Sequence, residues 1–311
     1  MDKKIILHQV KRSAYSEKIR LMLDIAGLDW LRVDAPTHTN KREVQRLLVE
    51  GYSRRIPLLQ VGADMYCDTD VITHQLALLS GRKSFSKENL GDDRQMAIEM
   101  ERGAFIAFLS SIPKKQLLSS YFKDYSIKDF SGFLIGRVQS FKGVEVESLP
   151  FDQAVKEKEG YLHRFNDILK NQTYLLMDLE PAVVDFSLYH HVWYQELNNN
   201  LHTIEKYPHV MKWYRHMKSM RKSLPTPIDG MDALKTAREN EPAEIPEHML
   251  KTSRIGSKVS LQPNDFAGQA TLPVSGVIVG EDEHKIILRR ETKETGVIHV
   301  HFPKNALGAC M

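Results

Sequence analysis

The sequence predicts a multidomain protein in which an α/β region, an all-α region and a small all-β region follow one another. Over residues 4–80, short apolar runs alternate with stretches of helical spacing. From Asp92 to about Ser223 the spacing is helical throughout. Beyond a proline-punctuated stretch, apolar residues alternate at period two between glycines. At 311 residues the chain exceeds the usual size of one domain, and the expected boundaries are 1–82, 90–224, a linker at 225–249, and 250–311.

In the first region Ile5 to Leu7 reads as a strand, and Ile19, Met22, Leu23 and Ala26 place a helix from Tyr15 to a stop at Gly27. Trp30 to Val33 gives a second strand, and Lys41 to Glu50 is loosely helical. Pro57 to Val61, a turn at Gly62 to Asp64 and Met65 to Cys67 read as a hairpin, followed by a helix from about Val71 to Leu79 ending at Gly81. In the second region the apolar stripes are Met96, Met100, Ala104, Ala107 and Phe108, then Leu162, Phe165, Ile168 and Leu169. The stretch Lys123 to Pro150 shows little periodicity and reads as a binding loop, a disordered segment or a missed helix. Pro225, Pro227, Pro242 and Pro246 mark the linker. The period-two sets after it are Val259 with Leu261; Ala270, Leu272 and Val274; Val277 with Val279; Ile286 with Leu288; and Ile298, Val300 and Phe302.

Composition narrows the function classes. With 43 Lys and Arg against 40 Asp and Glu, a formal charge of +3 supplies no basic field for nucleic acid. Two cysteines without paired spacing exclude a disulfide framework and a cysteine zinc site. The opening apolar run Ile5 to Leu7 is too short for a secretory leader and no 18-residue apolar stretch occurs, so the expectation is a cytoplasmic protein with no membrane partner. Asn171-Gln172-Thr173 is then a chance glycosylation pattern.

Three segments carry chemistry. Ser13 stands where the first strand hands over to the first helix, a place at which free backbone N–H groups and the helix dipole favour an anion. Ser13 reads either as the helix cap or as a hydroxyl that donates to a thiolate and lowers a thiol pKa from its usual value near 8.5. Ile56-Pro57 opens an apolar strand, where a cis peptide turns the Ile56 backbone N–H and C=O toward a peptide-like ligand. Asp68-Thr69 is an acidic, hydroxyl-bearing turn into a helix: the carboxylate accepts from an α-ammonium group, and Thr69 with the helix-start N–H groups holds an α-carboxylate. An Asp/Thr helix cap is the alternative.

In this order the three segments resemble the thioredoxin-like domain of the glutathione transferase superfamily, with its catalytic Ser, Cys or Tyr, its cis-proline and its acidic-Ser/Thr pair. Tyr174-Leu175-Leu176-Met177, Pro181 to Phe186 and Tyr207 to Trp213 resemble that family's helical domain, with Asp185 on its folding-motif aspartate, reaching back to the Ala182 N–H. The resemblance covers roughly residues 4–222. Ala14 stands where proline is common and Ala182 replaces a capping Ser or Thr. The resemblance implies a glutathione transferase-like enzyme with Ser13 as catalytic residue and Ile56, Pro57, Asp68 and Thr69 binding glutathione. It further implies glutathione as co-substrate without a metal, a small hydrophobic electrophile as partner, a homodimer and a role in detoxification. A serine at this position favours thiolate activation over mixed-disulfide chemistry. The alternatives are a non-catalytic binding protein of the same fold whose β domain recruits a protein partner, and a glutathione-dependent isomerase or reductase.

Other residues rank lower. His299 and His301 share one face of the last apolar strand, enough for two metal ligands without a third. His190 and His191 read as packing or surface residues, Tyr15, Tyr121 and Tyr125 either as core aromatics or as residues approaching the thiolate or a hydrophobic substrate, and Cys67 as a small buried residue rather than a second redox centre. Residues 250–311 are expected to fold as an independent β module serving assembly or partner binding, removable after Glu247 without loss of glutathione binding.

Overall fold

The apolar runs of the first region pair into a sheet in the computed structural model, which describes residues 3–38, 41–124, 148–177, 179–262, 273–304 and 307–310. Strand β1 (Ile5–Gln9) runs parallel to β2 (Leu31–Asp34) and antiparallel to β3 (Leu58–Val61), which forms a hairpin with β4 (Asp64–Cys67). Helix α1 (Ala14–Ala26) connects β1 to β2 and ends at Gly27, whose φ of 68° favours glycine. Helix α2 (Glu43–Val49) passes into a 3₁₀ turn (Glu50–Arg54) before β3, and α3 (Thr69–Ser80) follows β4. These elements lie within two or three residues of the expected ones.

In the helical region α4 (Arg94–Glu99) and α5 (Phe105–Ser110) are joined by a π-helical turn, followed by α6 (Lys114–Asp124), α7 (Phe151–Ile168), α8 (Val183–Leu197) and α9 (Pro208–Ser219). The expected stripes face inward, and Met100, Ala104, Phe108, Leu162 and Phe165 share one core with Leu7, Ile19, Leu23 and Leu76 of the first region. Asp185, fully buried, ties the helical motifs together by accepting from the Leu175 N–H (2.9 Å), the Ala182 N–H (3.0 Å) and the Trp213 Nε1–H (3.0 Å). The irregular stretch at 123–150 falls mostly outside the described residues. Among the described residues no helix is long and apolar enough to cross a membrane.

The C-terminal third differs from expectation in three ways. The stretch read as a linker contains helix α10 (Gly230–Arg238), with Ala233, Leu234 and Ala237 buried. A Cβ on Gly230 would meet Val44 Cγ2 at 2.6 Å, so glycine permits α10 to lie against α2. The strands β5 (Lys258–Gln262), β6 (Val274–Glu281), β7 (Lys285–Thr292), β8 (Gly296–Pro303) and β9 (Leu307–Cys310) form the expected β region, but not an independent module. Strand β8 pairs in parallel with β4, giving one nine-stranded sheet of order β2-β1-β3-β4-β8-β7-β6-β5-β9. Within β6 the core residues are Val274 and Ile278 rather than Val277 and Val279, because the pairing of Leu261 with Val274 and of Val259 with Gly276 puts positions 274, 276 and 278 on the core face. The expected Ala270 and Leu272 lie outside the described residues.

A second core on the other face joins Leu58, Met65 and Cys67 of the first region, and Leu48 and Tyr52 beside them, to Val259, Ile278, Leu288, Ile298, Val300 and Phe302. On β8 the histidines do occupy the opposite face from Ile298, Val300 and Phe302, yet that face is covered too: His299 and His301 are buried, and His301 stacks on Tyr66 at 4.3 Å.

Removal of residues 248–311 therefore strips one side from a shared core. Thermal unfolding of the truncated chain is expected to lose cooperativity in the first domain, whereas an unchanged melting transition and unchanged near-ultraviolet circular dichroism would restore the independent module.

Acid should act on the same sheet, through a buried histidine on each face. Burial pushes His8 and His301 down to about 4, so the folded chain binds their protons less tightly than the unfolded chain does. Their stabilisation is full above the ordinary histidine pKa near 6.5 and is lost as pH falls from there toward 4. Urea midpoints measured across that window should drop, and the drop should shrink in a His8→Gln, His301→Gln variant.

Candidate functional site

Strand register brings the three chemistry-bearing segments to one end of the sheet. His8 near the end of β1 faces Leu58 at the start of β3, and Leu58 faces Cys67 at the end of β4. Ile56-Pro57, Ser13 and Asp68-Thr69 therefore all emerge at this edge, with adjacent strands about 4.8 Å apart. The starts of α1 and α3 open there as well, each leaving unpaired N–H groups and a positive dipole end.

Ser13 is the N-cap of α1: its Oγ accepts from the Ser16 N–H at 3.1 Å, and its own N–H donates to the Val10 carbonyl at 3.0 Å. The cap and the donor reading are compatible, because a hydroxyl that accepts one hydrogen bond keeps its proton to give. The Ile56–Pro57 peptide is cis. Asp68 caps α3 by accepting from the Asp70 N–H at 3.0 Å, with φ 93° and ψ 142°, a region that side-chain-bearing residues rarely adopt. Thr69 is the first residue of that helix and is partly exposed.

The helical domain anchors α1 closely. Arg12, nearly fully buried, donates to the Ser120 carbonyl (3.1 Å), the Ser120 Oγ (2.8 Å), Asn198 Oδ1 (3.1 Å) and the Asp124 carboxylate, and lies over the Tyr121 ring. Glu17 accepts from Arg20, Arg221 and the Tyr189 hydroxyl, and Lys18 pairs with Glu101, which also receives the Ser187 hydroxyl. Burial alone raises the Glu101 carboxyl, but the charge and hydrogen bond of Lys18 and the Ser187 hydroxyl hold it low. Tyr15 packs on Phe105 (4.8 Å) and His190 (5.1 Å) and donates to the Glu101 carbonyl at 3.3 Å.

Both neighbouring histidines are packing residues. Burial pushes His190 down, and His191 to about 4, so neither brings positive charge to the start of α1. The Cys67 thiol is fully buried and pushed up by burial and by Asp68, which makes it a poor second thiolate. His301 gives its Nε2–H to Asp64 at 3.0 Å, and no group that could hold a metal ion is found among the described residues. Tyr121 lies under Arg12, and Tyr125 is outside the described residues.

Arg12, Lys18 and Glu101 escaped the sequence reading. Each is a charged residue of a turn or a helix, which reads as solvated in sequence, and each meets its partner across the contact between the first region and the helical one.

Residues 7–83 match the family Glutathione S-transferase, N-terminal domain, and residues 152–222 match Glutathione S-transferase, C-terminal domain. A GST-like protein from Pseudomonas syringae is similar in fold over 99% of this chain and 100% of its own, with TM-score 0.77 and 22% identity. Glutathione transferase F7 from Populus trichocarpa is similar over 69% of this chain and 93% of its own, with TM-score 0.50 and 14% identity. No curated protein sequence matches the chain.

The backbone at Asp68 makes a prediction independent of any ligand. A side chain in this region costs about 1–3 kcal/mol, whereas exchanging an Asp cap for Gly costs only a few tenths. Asp68→Gly should therefore raise stability by about 1 kcal/mol in urea titrations; a clear loss would make the carboxylate a structural element instead.

Proposed function

We propose that this chain, which carries the N- and C-terminal domains of the glutathione transferase family at 7–83 and 152–222, binds glutathione at the sheet edge and activates its thiol for attack on a small hydrophobic electrophile. The observation that supports this most is the convergence of Ser13, Ile56-Pro57 and Asp68-Thr69 at one edge, beside two helix N-termini. The γ-glutamyl ammonium goes to Asp68 and its carboxylate to Thr69 and the start of α3, while the Ile56 backbone pairs with the cysteinyl unit.

In this reading the sulfur lies at the start of α1. The Ser13 hydroxyl, whose oxygen already accepts from the Ser16 N–H, donates a hydrogen bond to the sulfur and keeps its proton. Lowering a thiol pKa by two units takes about 2.7 kcal/mol, within reach of a charge-assisted hydrogen bond and a helix dipole together. The thiol proton leaves to solvent, the thiolate attacks, and a carbon–sulfur bond forms while the electrophile's leaving group departs or its acceptor atom takes a proton. The helical domain holds the electrophile against the sulfur. Homodimerisation, a cytoplasmic location and detoxification belong to the same proposal through the family resemblance.

Two variants test separate parts. Asp68→Ala should weaken glutathione binding by at least about tenfold, or 1.4 kcal/mol, in calorimetric titrations; an unchanged dissociation constant in a folded variant refutes that placement. Ser13→Ala should leave affinity within a few fold but raise the pKa of the bound thiol and lower kcat. Absence of ultraviolet thiolate absorbance in the wild-type complex at neutral pH favours the non-catalytic binding protein.

A further inference from the structure

We infer that Arg290, on strand β7, is a positioning residue for the glutathione-binding loop, and that the C-terminal strands are thereby part of the site's scaffold. This rests on the glutathione reading above. Arg290 is 8% exposed, and its guanidinium reaches three acceptors on three elements: Nε–H to the Ser275 carbonyl of β6 (3.1 Å), one N–H to the Leu48 carbonyl of α2 (2.6 Å) and another to Glu50 Oε1 of the 3₁₀ turn (2.7 Å). The other Glu50 oxygen accepts from the Ser275 N–H at 2.8 Å. The clasp closes on the C-terminal end of α2, where carbonyls have no partner within the helix. It also holds a strained residue, since Glu50 has φ 43° and ψ −126°.

What Glu50 begins is the 3₁₀ turn Glu50–Arg54, which leads through Arg55 directly to Ile56-Pro57. The same turn is gripped a second time from the C-terminal strands. Tyr52 packs edge-on against Phe302 of β8, with ring centroids 5.7 Å apart, and the Tyr52 carbonyl accepts the Arg55 N–H at 2.8 Å. From within the first domain Arg42 does comparable work, donating to the Ser53 (3.2 Å) and Arg54 (2.8 Å) carbonyls. The segment that presents the Ile56 backbone is thus set from both sides, one of them supplied by residues 275–302. A residue that acts by fixing this backbone should alter glutathione binding in ground state and transition state alike, and leave the sulfur's environment at Ser13 untouched.

The test uses the full chain with two variants. Arg290→Lys keeps the charge but cannot fork to three acceptors. Glu50→Gly removes the carboxylate while relieving the positive φ, so it remains folded even if the strain is large. Amide hydrogen exchange is followed along the whole chain, and glutathione is titrated by calorimetry.

Both variants should speed exchange at residues 50–56 by about tenfold with β6 to β8 still protected. The glutathione dissociation constant should rise about tenfold, with kcat at saturation within about twofold and the bound-thiol pKa unchanged. Unaltered exchange at 50–56, or faster exchange there with unaltered affinity, overturns the inference. So does a rise spread evenly over β6 to β8, which would make Arg290 a residue of general stability. Failure of the wild-type chain to bind glutathione overturns the proposed function and the positioning role together, whereas the exchange pattern alone reports on the clasp.

Discussion

The architecture depends on what happens at the second edge of β4. A strand edge of unpaired N–H and C=O groups is an open template, and here β8 takes it in parallel, with Asp64, Met65 and Tyr66 facing His299, Val300 and His301. One buried carboxylate locks that join. Asp64 accepts from His301 Nε2 (3.0 Å), the Ala243 N–H (2.8 Å) and Lys3 Nζ (3.3 Å), so the N-terminus, the segment after α10 and β8 meet on it. Burial alone would raise its pKa, but His301, the Ala243 N–H and Lys3 outweigh burial and keep the carboxyl low. Removing a single donor would strand charge in the interior, so the join is selective for its partners.

Once β8 is placed, the two faces of the sheet acquire different neighbours. On one face, α1 and α3 pack with the helical domain in a core that includes Leu7, Ile19, Leu76, Phe108 and Phe186. On the other, α2 and α10 cover a core built jointly from β3, β4 and the C-terminal strands. Between α2 and the sheet lies a polar chain whose tautomers are determined by its ends. Gln60 gives its N–H groups to the Gly62 and Ala233 carbonyls, so its oxygen faces His8, whose Nε2 must donate and whose Nδ1 must accept from Gln45. Through Ala233 this chain fastens α10 to the first strands. The candidate site lies at the sheet end where these two packing systems meet, which is why residues from the last strands can set a loop of the first domain.

Much of this was legible in the sequence where contacts are local. Glycines after α1 and α3, the helix start at Ser13, the hairpin around Gly62 and the Asp185 link to Ala182 each involve residues a few positions apart, and each is written in residue type and spacing. The candidate site was legible for the same reason: its three segments are strand-to-helix or strand-start positions, and strand order alone carries them to one edge. The β4–β8 pairing was not legible, because it joins residues more than two hundred positions apart through backbone groups that any sequence possesses. Nor was the phase of β6, where pairing with β5 puts Val274 and Ile278, not Val277 and Val279, on the core face. Helix α10 was masked by the prolines around it, and its Ala233, Leu234, Ala237 stripe is short, with Gly230 permitting the close approach to Val44.

Two of the strained non-glycine residues flank the site, and they are held in opposite ways. Asp68 is capped within its own helix: its carboxylate accepts the Asp70 N–H from inside the turn. Glu50 is held from outside, by a guanidinium and an amide of strands that arrive at the end of the chain. A conformation secured locally persists whenever the helix forms, whereas one secured at a distance exists only when the sheet is complete. The Asp68 end of the site is accordingly preorganised by the first domain, while the Ile56 end is organised by the whole nine-stranded sheet. A chain lacking its last strands would retain the acidic helix start and lose the geometry of the loop opposite, so that any ligand spanning both ends reads the integrity of the entire fold.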